Sequence, residues 1–342
     1  MRQVLRPFLL ARRNVLVLTG ASLLGGLMLA VSPELGFSRS GSNAPEPVAA
    51  PQTSPALALL PTDAGLPRSG DGRHYPLLPS DVKELAVLLA SLEEAIRDPN
   101  TPAADLPRLG HQQQVIYRVL SHRRPLADQV RAALPQRWQP VFDHHVGARR
   151  EFLAMHRGQR SLKLPSWRII PPKPPEQLLA YYREAAAATG IPWEVLAAVN
   201  LVETGMGRVD GISVAGAQGP MQFLPSTWTE AGIGKGDIRN PRDAIGAAAR
   251  YLVRRGGPGN LKKALWGYNN SDHYGKAVLH YAALMKEDPA AFRGLYHWEV
   301  HFASGAGDLW LPVGYLQPKP ISVAAYLKTH PVSAPPPGSS GY

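Results

Sequence analysis

The chain contains no cysteine among its 342 residues. This absence excludes thiol catalysis, disulfide bonds and a lipid-modified cysteine. A protein of this length can bury at least one sizeable hydrophobic core, so side-chain packing must supply its stability.

Acidic residues are scarce, with 26 Asp and Glu against 37 Lys and Arg. The formal net charge of +11 favours anionic partners. Nucleic acid is one such partner, but the sequence carries no nucleic-acid recognition motif. The glycines of residues 232–235 lack the spacing and the final Ser or Thr of a phosphate-binding loop. We therefore predict no nucleic-acid partner and no cofactor.

The N-terminal region combines positive charge with one apolar run. Residues 1–13 form a basic segment, and residues 14–32 are uncharged and predominantly apolar. This run lies near the lower length limit for crossing a membrane, and no clean small-residue cleavage site precedes Pro33. It is either a signal peptide or a retained membrane anchor, and both readings place the protein outside the cytoplasm. Residues 33–75, rich in Pro, Ala and Ser, predict a disordered linker.

Apolar residues repeat at helical spacing after this linker. Residues 76–165 predict a small helical subdomain, joined at 171–175 to a larger domain over residues 166–289. The default role of the subdomain is to pack against that larger domain. Residues 290–330 predict a β-hairpin, because apolar residues alternate from Tyr296 to Phe302 before the turn at 304–307. Residues 331–342 predict a disordered tail.

Several histidines invite a metal interpretation. His297, Glu299 and His301 share one face of the predicted strand, but their spacing is not that of a helical zinc site. We expect a solvated strand face there, a surface position for His144 and His145, and no metal site.

Glu203 lies near the end of an apolar helical pattern. It follows Val199 by four positions and Leu196 by seven, so its carboxyl lies on the face that the helix should bury. Burial and the negative end of the helix dipole should both raise its pKa, as a general acid requires. The structural alternative is an ion pair with Arg208.

Two further segments have the residues of a polar binding cleft. Residues 213–228 are rich in small residues, Gly and Pro, and Gln222 offers both a donor and an acceptor. Residues 264–270 place an aromatic ring beside two carboxamides, which suits stacking and hydrogen bonding to a sugar.

Together these segments resemble the transglycosylase SLT family, whose fold is similar to goose-type lysozyme. The resemblance covers roughly residues 175–285, with four motifs in order: Glu203-Thr204, residues 213–225, residues 244–252 and residues 265–269. It implies a mainly α fold, with a lysozyme-like catalytic domain between the helical subdomain and the short β-hairpin. It also implies a lytic transglycosylase, which cleaves the bond between MurNAc and GlcNAc in peptidoglycan glycan strands.

The resemblance implies roles for particular residues. Glu203 takes the position of the catalytic carboxylate, Ser213 hydrogen-bonds near it, and Gln222 binds sugar. Met221 lines the cleft, Tyr268 lies near the acid, and Asn269 contacts the substrate. Thr204 supports the acid.

The sequence departs from the family pattern at three places. Thr204 replaces the usual Ser and keeps the hydroxyl, while Pro220 replaces Leu and removes a backbone donor. Asn270-Ser271 replaces Ala-Gly after Asn269, which puts substrate contacts beyond that residue in question.

Two alternatives to transglycosylation stay open. A lysozyme-like hydrolase would usually need a second carboxylate about 5 to 9.5 Å from the first. Asp210 is the nearest in sequence, but the following Gly211 favours a turn. A non-catalytic peptidoglycan-binding scaffold is the other alternative. Peptidoglycan is the expected partner in each case, with anionic wall polymers, and the membrane through residues 14–32 if uncleaved, as further partners.

Overall fold

A computed structural model describes residues 72–156 and 161–334. The helices of this part of the chain are α1 (Val82–Arg97), α2 (Leu106–His122), α3 (Arg124–Ala133), α4 (Gln139–His156), α5 (Pro175–Thr189), α6 (Trp193–Thr204), α7 (Pro225–Trp228), α8 (Pro241–Arg254), α9 (Leu261–Asn269), α10 (Asp272–Glu287), α11 (Ala291–Tyr296) and α12 (Val323–Thr329). The strands are β1 (Lys163–Leu164), β2 (Arg168–Ile169), β3 (Val209–Asp210), β4 (Val300–Ser304), β5 (Gly307–Leu311) and β6 (Ile321–Ser322).

The predicted mainly α fold is confirmed. The strands pair in antiparallel twos, as β1 with β6, β2 with β3 and β4 with β5. The predicted basic segment, the signal or anchor, and nearly all of the predicted linker lie outside the described residues. So does the end of the predicted tail, whose first residues, Pro331–Ser333, form a 3₁₀ turn.

Helices α1 to α4 enclose their own cluster of buried apolar side chains. The side chain of Asp81 caps α1 by accepting hydrogen bonds from the backbone of Lys83 and Glu84. Helix α4 packs along α10, and α2 packs on α11, so these helices do pack against the rest of the chain. Trp298 contacts both core clusters, and its indole nitrogen donates to Gln113 Oε1 at 3.0 Å.

The larger core lies among α5, α6, α8, α9 and α10. Glycines in the left-handed region end the first two of these helices, with Gly190 at φ 75° and Gly205 at φ 60°. The side chain of Asn240 caps α8, as its position before Pro241 predicts. Because Gly205 ends α6 two residues beyond Glu203, the carboxyl lies at the C-terminal end of a buried helix.

The predicted hairpin exists but begins later than its pattern indicates. Strands β4 and β5 pair with Val300 opposite Leu311, whereas Tyr296 ends α11 and His297 caps that helix. The prediction that the strand starts at Tyr296 is therefore wrong. Helix α12 also lies within the segment 290–330, which holds more than a hairpin.

The expectation of solvated polar positions is also wrong at three residues. The side chain of His301 is fully buried, Glu299 is 8% exposed, and His145 is 1% exposed. The His145 ring stacks on Tyr117, with centroids 4.1 Å apart. Histidine in an amphipathic pattern can be buried when a partner occupies its polar atoms or its face.

No helix within 72–156 and 161–334 is long and apolar enough to cross a membrane. In the same residues, no three His, Cys, Asp or Glu side chains are grouped to hold a metal ion.

Candidate active site

Glu203 presents its carboxyl at the C-terminal end of α6, in a partly exposed position. Burial of the carboxyl raises its pKa to about 8, and a hydrogen bond from Tyr274 opposes part of this rise. The Tyr274 hydroxyl donates to Glu203 Oε1 at 2.7 Å. The acid is therefore predominantly protonated at neutral pH, as the sequence pattern predicts.

Arg208 is not the partner of Glu203. Its Nη1 donates to the carbonyl oxygen of Gly205 at 3.1 Å, and its guanidinium lies 5.3 Å from the ring centroid of Tyr296. Among the described residues, no Lys, Arg or His forms an ion pair with Glu203. The pKa stays high because no positive charge stabilises the carboxylate.

The chain turns sharply directly after the acid. Gly205, Met206 and Gly207 all have positive φ, at 60°, 65° and 88°. Met206 adopts this strained conformation with its side chain buried, and its sulfur accepts a hydrogen bond from Tyr182 at 3.4 Å. Packing thus holds the turn that presents Glu203.

Thr204 ties this helix end to the following loop. Its hydroxyl donates to the carbonyl oxygen of Pro220 at 2.6 Å and accepts from the Gly207 backbone at 3.0 Å. Asn200 Nδ2 donates to the same Pro220 oxygen at 2.8 Å. The hydroxyl retained by Thr204 therefore fixes the loop beside the acid.

The loop is held by hydrogen bonds within itself. Ser213 Oγ accepts from the Ala217 backbone at 2.9 Å, and no hydrogen bond joins Ser213 to Glu203 in the described part of the chain. Gln222 has φ 50°, and its Nε2 donates to the Gly219 carbonyl oxygen at 3.0 Å. At Gly219, a Cβ atom would lie 2.0 Å from the Ile238 carbonyl oxygen, so only glycine allows this close approach.

The aromatic rings of Tyr268 and Tyr274 form a wall beside the Glu203 carboxyl and next to the loop. The Tyr268 hydroxyl donates to the Met221 carbonyl oxygen at 2.8 Å, while the Met221 side chain itself is fully buried. The rings of Tyr268 and Tyr274 lie parallel, with centroids 6.2 Å apart. Tyr268 therefore orients the ring beside the acid, and Tyr274 contacts the acid directly.

Asn269 is buried at 4% exposure. Its Nδ2 makes no hydrogen bond within the described residues. An orphaned buried donor costs free energy, and such groups in native structures often mark functional positions.

Tyr274 is the site residue that sequence reasoning missed. It lies in the first turn of α10, whose start is fixed because Ser271 Oγ accepts from the Tyr274 backbone at 3.3 Å. The only sequence signal is an aromatic residue following a helix cap shortly after the Tyr268-Asn269 pair. Nothing in that signal indicates a contact with a residue 71 positions earlier.

Asp210, the candidate second carboxylate, is paired with basic side chains. It lies in β3 rather than in a turn, and it forms ion pairs with Arg168 and Arg239. Asp243 Oδ2 accepts from the Asp237 backbone at 2.9 Å, which is a structural role.

The fold and the site together define a lysozyme-like helical domain with one raised-pKa carboxyl. The family model described as the transglycosylase SLT domain matches residues 180–283, from within α5 to within α10. This match confirms the predicted resemblance, and it includes Glu203, the loop, Tyr268 and Tyr274. It spans fewer than a third of the 342 residues. No curated protein and no solved structure matches the chain.

Proposed function

We propose that the protein is a peptidoglycan lytic transglycosylase, which cleaves the β-1,4 bond between MurNAc and GlcNAc and leaves a 1,6-anhydro-MurNAc end. The observation that carries this proposal is the Glu203 carboxyl, whose pKa burial raises to about 8. The match of residues 180–283 to the SLT domain supports the substrate class.

Glu203 acts first as the general acid. Its proton passes to the glycosidic oxygen as the bond to the muramyl anomeric carbon breaks, and charge develops on the sugar ring. Tyr274, which donates to Oε1, stabilises the carboxylate that results.

Glu203 then acts as the base. The muramyl C6 oxygen attacks the anomeric carbon, and its proton passes to the Glu203 carboxylate. The acid is regenerated, the leaving GlcNAc has gained the first proton, and no water enters the product. The pairing of Asp210 with two arginines favours this one-carboxylate reaction over hydrolysis.

The remaining predicted residues surround this centre. Gln222 and Asn269 hydrogen-bond the sugars, and Asn269 Nδ2 brings a donor that has no other partner in the described residues. Ser213 shapes the loop, and Thr204, Met221 and Tyr268 position the acid and its wall through the contacts given above.

The proposal also includes a location and a division into domains. The protein acts outside the cytoplasm, with residues 14–32 as signal peptide or anchor and residues 33–75 as a linker. Residues 166–289 form the catalytic domain, and residues 76–165 a subdomain that supports it by packing α4 on α10.

The test is mass spectrometry of the muropeptides released from intact peptidoglycan sacculi, with the Glu203→Gln variant as control. Release of 1,6-anhydro-muramyl ends, one water lighter than reducing ends, is the expected result. Reducing ends would identify a hydrolase instead. Binding without release, by a folded wild-type protein, would identify a scaffold.

A further inference from the structure

An exposed patch of mixed chemistry lies beside the loop of the candidate site. It comprises the exposed apolar side chains of Ile212 and Val214, the partly buried indole of Trp167, and the guanidinium groups of Arg168 and Arg239. We call these five residues the rim patch. Ile212 is 52% exposed and Val214 is 42% exposed, on either side of Ser213.

The β2–β3 pair positions the rim patch. Arg168 lies opposite Asp210 in the ladder, and Ile169 lies opposite Val209. Trp167 packs so closely over Gly211 that a Cβ atom there would lie 2.3 Å from its Cδ1. The indole is thus held against the backbone at the point where β3 enters the loop.

The two arginines of the rim patch form ion pairs with the same carboxylate. Asp210 accepts from Arg168 Nε at 3.0 Å, and its other oxygen lies 3.7 Å from Arg239 Nη1. Arg239 Nη2 also donates to Gln218 Oε1 at 3.1 Å. No other carboxylate of the described residues forms an ion pair with either arginine. Two guanidinium groups therefore share Asp210, while the nearby Asp237 carboxylate accepts from the Arg239 backbone rather than from its guanidinium.

Both arginines remain accessible. The side chains of Arg168 and Arg239 are 60% and 48% exposed. An ion pair at such an exposed surface contributes little to stability, and one arginine would suffice to join the strands. The second arginine suits binding of an anion.

The rim patch and Glu203 are joined through the loop. Gly211, beneath Trp167, accepts from Gln222 Nε2 at 3.5 Å. Two residues before Gln222, the Pro220 carbonyl oxygen accepts from Thr204, the neighbour of Glu203. The rim patch and the end of the Glu203 helix therefore contact the same loop, the first at Gly211 and the second at Pro220.

We propose that the rim patch binds the peptide stem of the muramyl residue at the cleavage site. Arg168 and Arg239 bind stem carboxylates, while Trp167, Ile212 and Val214 contact the small apolar side chains of the stem. The inference rests on the proposed function, because the stem belongs to that substrate. It makes the protein selective for strands that carry stems.

The test compares two substrates, which are glycan strands with intact stems and strands whose stems an amidase has removed. The measured quantity is the ratio of kcat/KM for strands with stems to kcat/KM for strands without stems. For the double variant Arg168→Ala and Arg239→Ala, we expect the ratio to fall about tenfold, because charge-assisted hydrogen bonds to the stem are lost.

A matched control removes two positive charges elsewhere. Arg131 and Arg254 also form exposed ion pairs, with Asp143 and Glu230. The double variant Arg131→Ala and Arg254→Ala should leave the ratio as in the wild type. A rim-patch variant whose ratio equals the wild-type ratio, or whose control shows the same fall, overturns the inference.

A binding measurement separates this inference from the proposed function. In a calorimetric titration, a disaccharide tetrapeptide or the same disaccharide without its peptide is added to the protein. The two proteins compared are Glu203→Gln and Glu203→Gln that also carries Arg168→Ala and Arg239→Ala. If the rim substitutions weaken binding of the disaccharide tetrapeptide but not of the bare disaccharide, the stem subsite is supported, even if the wild type cleaves neither strand. Equal binding of both compounds by both proteins overturns it, even if the wild type cleaves strands as proposed.

Discussion

Two carboxyls of this protein, Glu203 and Asp308, face opposite electrostatic surroundings. Glu203 accepts one hydrogen bond from Tyr274, and burial raises its pKa to about 8. Asp308 is fully buried between α2 and the β4–β5 hairpin. Burial is the largest single influence on its pKa and would raise it, but the charges of Arg118 and His301 and their hydrogen bonds together outweigh burial and hold the pKa of Asp308 well below its usual range.

Three side chains contact the Asp308 carboxylate. Arg118 forms a buried ion pair with it, the Tyr75 hydroxyl donates at 2.8 Å, and His301 Nδ1 lies 2.6 Å from Oδ2. The comparison shows that burial does not by itself make a carboxyl an acid. The absence of a cation distinguishes the acid at Glu203 from the structural carboxylate at Asp308.

The largest expected effect is the loss of activity in Glu203→Gln. The amide keeps the shape and the acceptor for Tyr274 but cannot transfer a proton, so turnover should fall about 10²–10⁴-fold. Release of muropeptides from sacculi measures it. Glu194→Gln, in the first turn of the same helix, is the matched control and should retain activity. Full activity of Glu203→Gln would remove this residue from the mechanism.

The second largest effect concerns the structural carboxylate. Asp308→Asn leaves Arg118 buried without its counter-charge, which should lower the free energy of unfolding by about 3–5 kcal/mol. Urea unfolding measures the change. Asp143→Asn, at an exposed pair with Arg131, should change it by only about 0–1 kcal/mol. Similar losses in both variants would contradict the comparison.

The sequence predicts one of these two carboxyls and not the other. Glu203 is found from the sequence because its helix, its apolar spacing and the following glycines are all local signals. Asp308 gives no such signal, because its partners lie in α2, in the neighbouring strand and before α1. A buried ion pair forms between elements that are distant in sequence, and the periodicity of a single element does not predict which elements pack together.

The errors at the hairpin have the same origin. Alternation predicts one apolar and one solvated face, yet all five residues of β5 are buried. His301 turns inward because His111 and Asp308 take up its two ring nitrogens, at 2.9 and 2.6 Å. Tyr274 was missed for the related reason that its contact with Glu203 joins two separate helices.

A third effect follows from the raised pKa of Glu203. The unfolded chain releases this proton near pH 4.5, whereas the folded protein retains it to about pH 8. Between these values the unfolded state binds fewer protons, so the group lowers stability as pH rises. Glu203→Gln removes this cost. The free energy of unfolding of Glu203→Gln relative to the wild type should therefore grow from pH 5 to pH 9, by on the order of 4 kcal/mol, because about three pH units of the shift lie in this range at about 1.4 kcal/mol each.

Thermal unfolding of both proteins across this pH range measures the difference. Other titrating groups affect both proteins equally, so the difference isolates Glu203. A constant difference between Glu203→Gln and the wild type would mean that the carboxyl titrates at its ordinary pKa.

The smallest effect tests the one hydrogen bond that Glu203 receives. Tyr274→Phe removes a donor that favours the carboxylate, so the pKa of Glu203 should rise further. The alkaline limb of the pH profile of kcat/KM should then move to higher pH, while the maximum falls about tenfold because the developing carboxylate is less stabilised. Tyr268→Phe is the control, since its hydroxyl bonds Met221 instead. Tyr268→Phe should lower activity without moving the alkaline limb of the profile. An equal movement of this limb in both variants would show that the aromatic wall, rather than the Tyr274 hydroxyl, sets the pKa of Glu203.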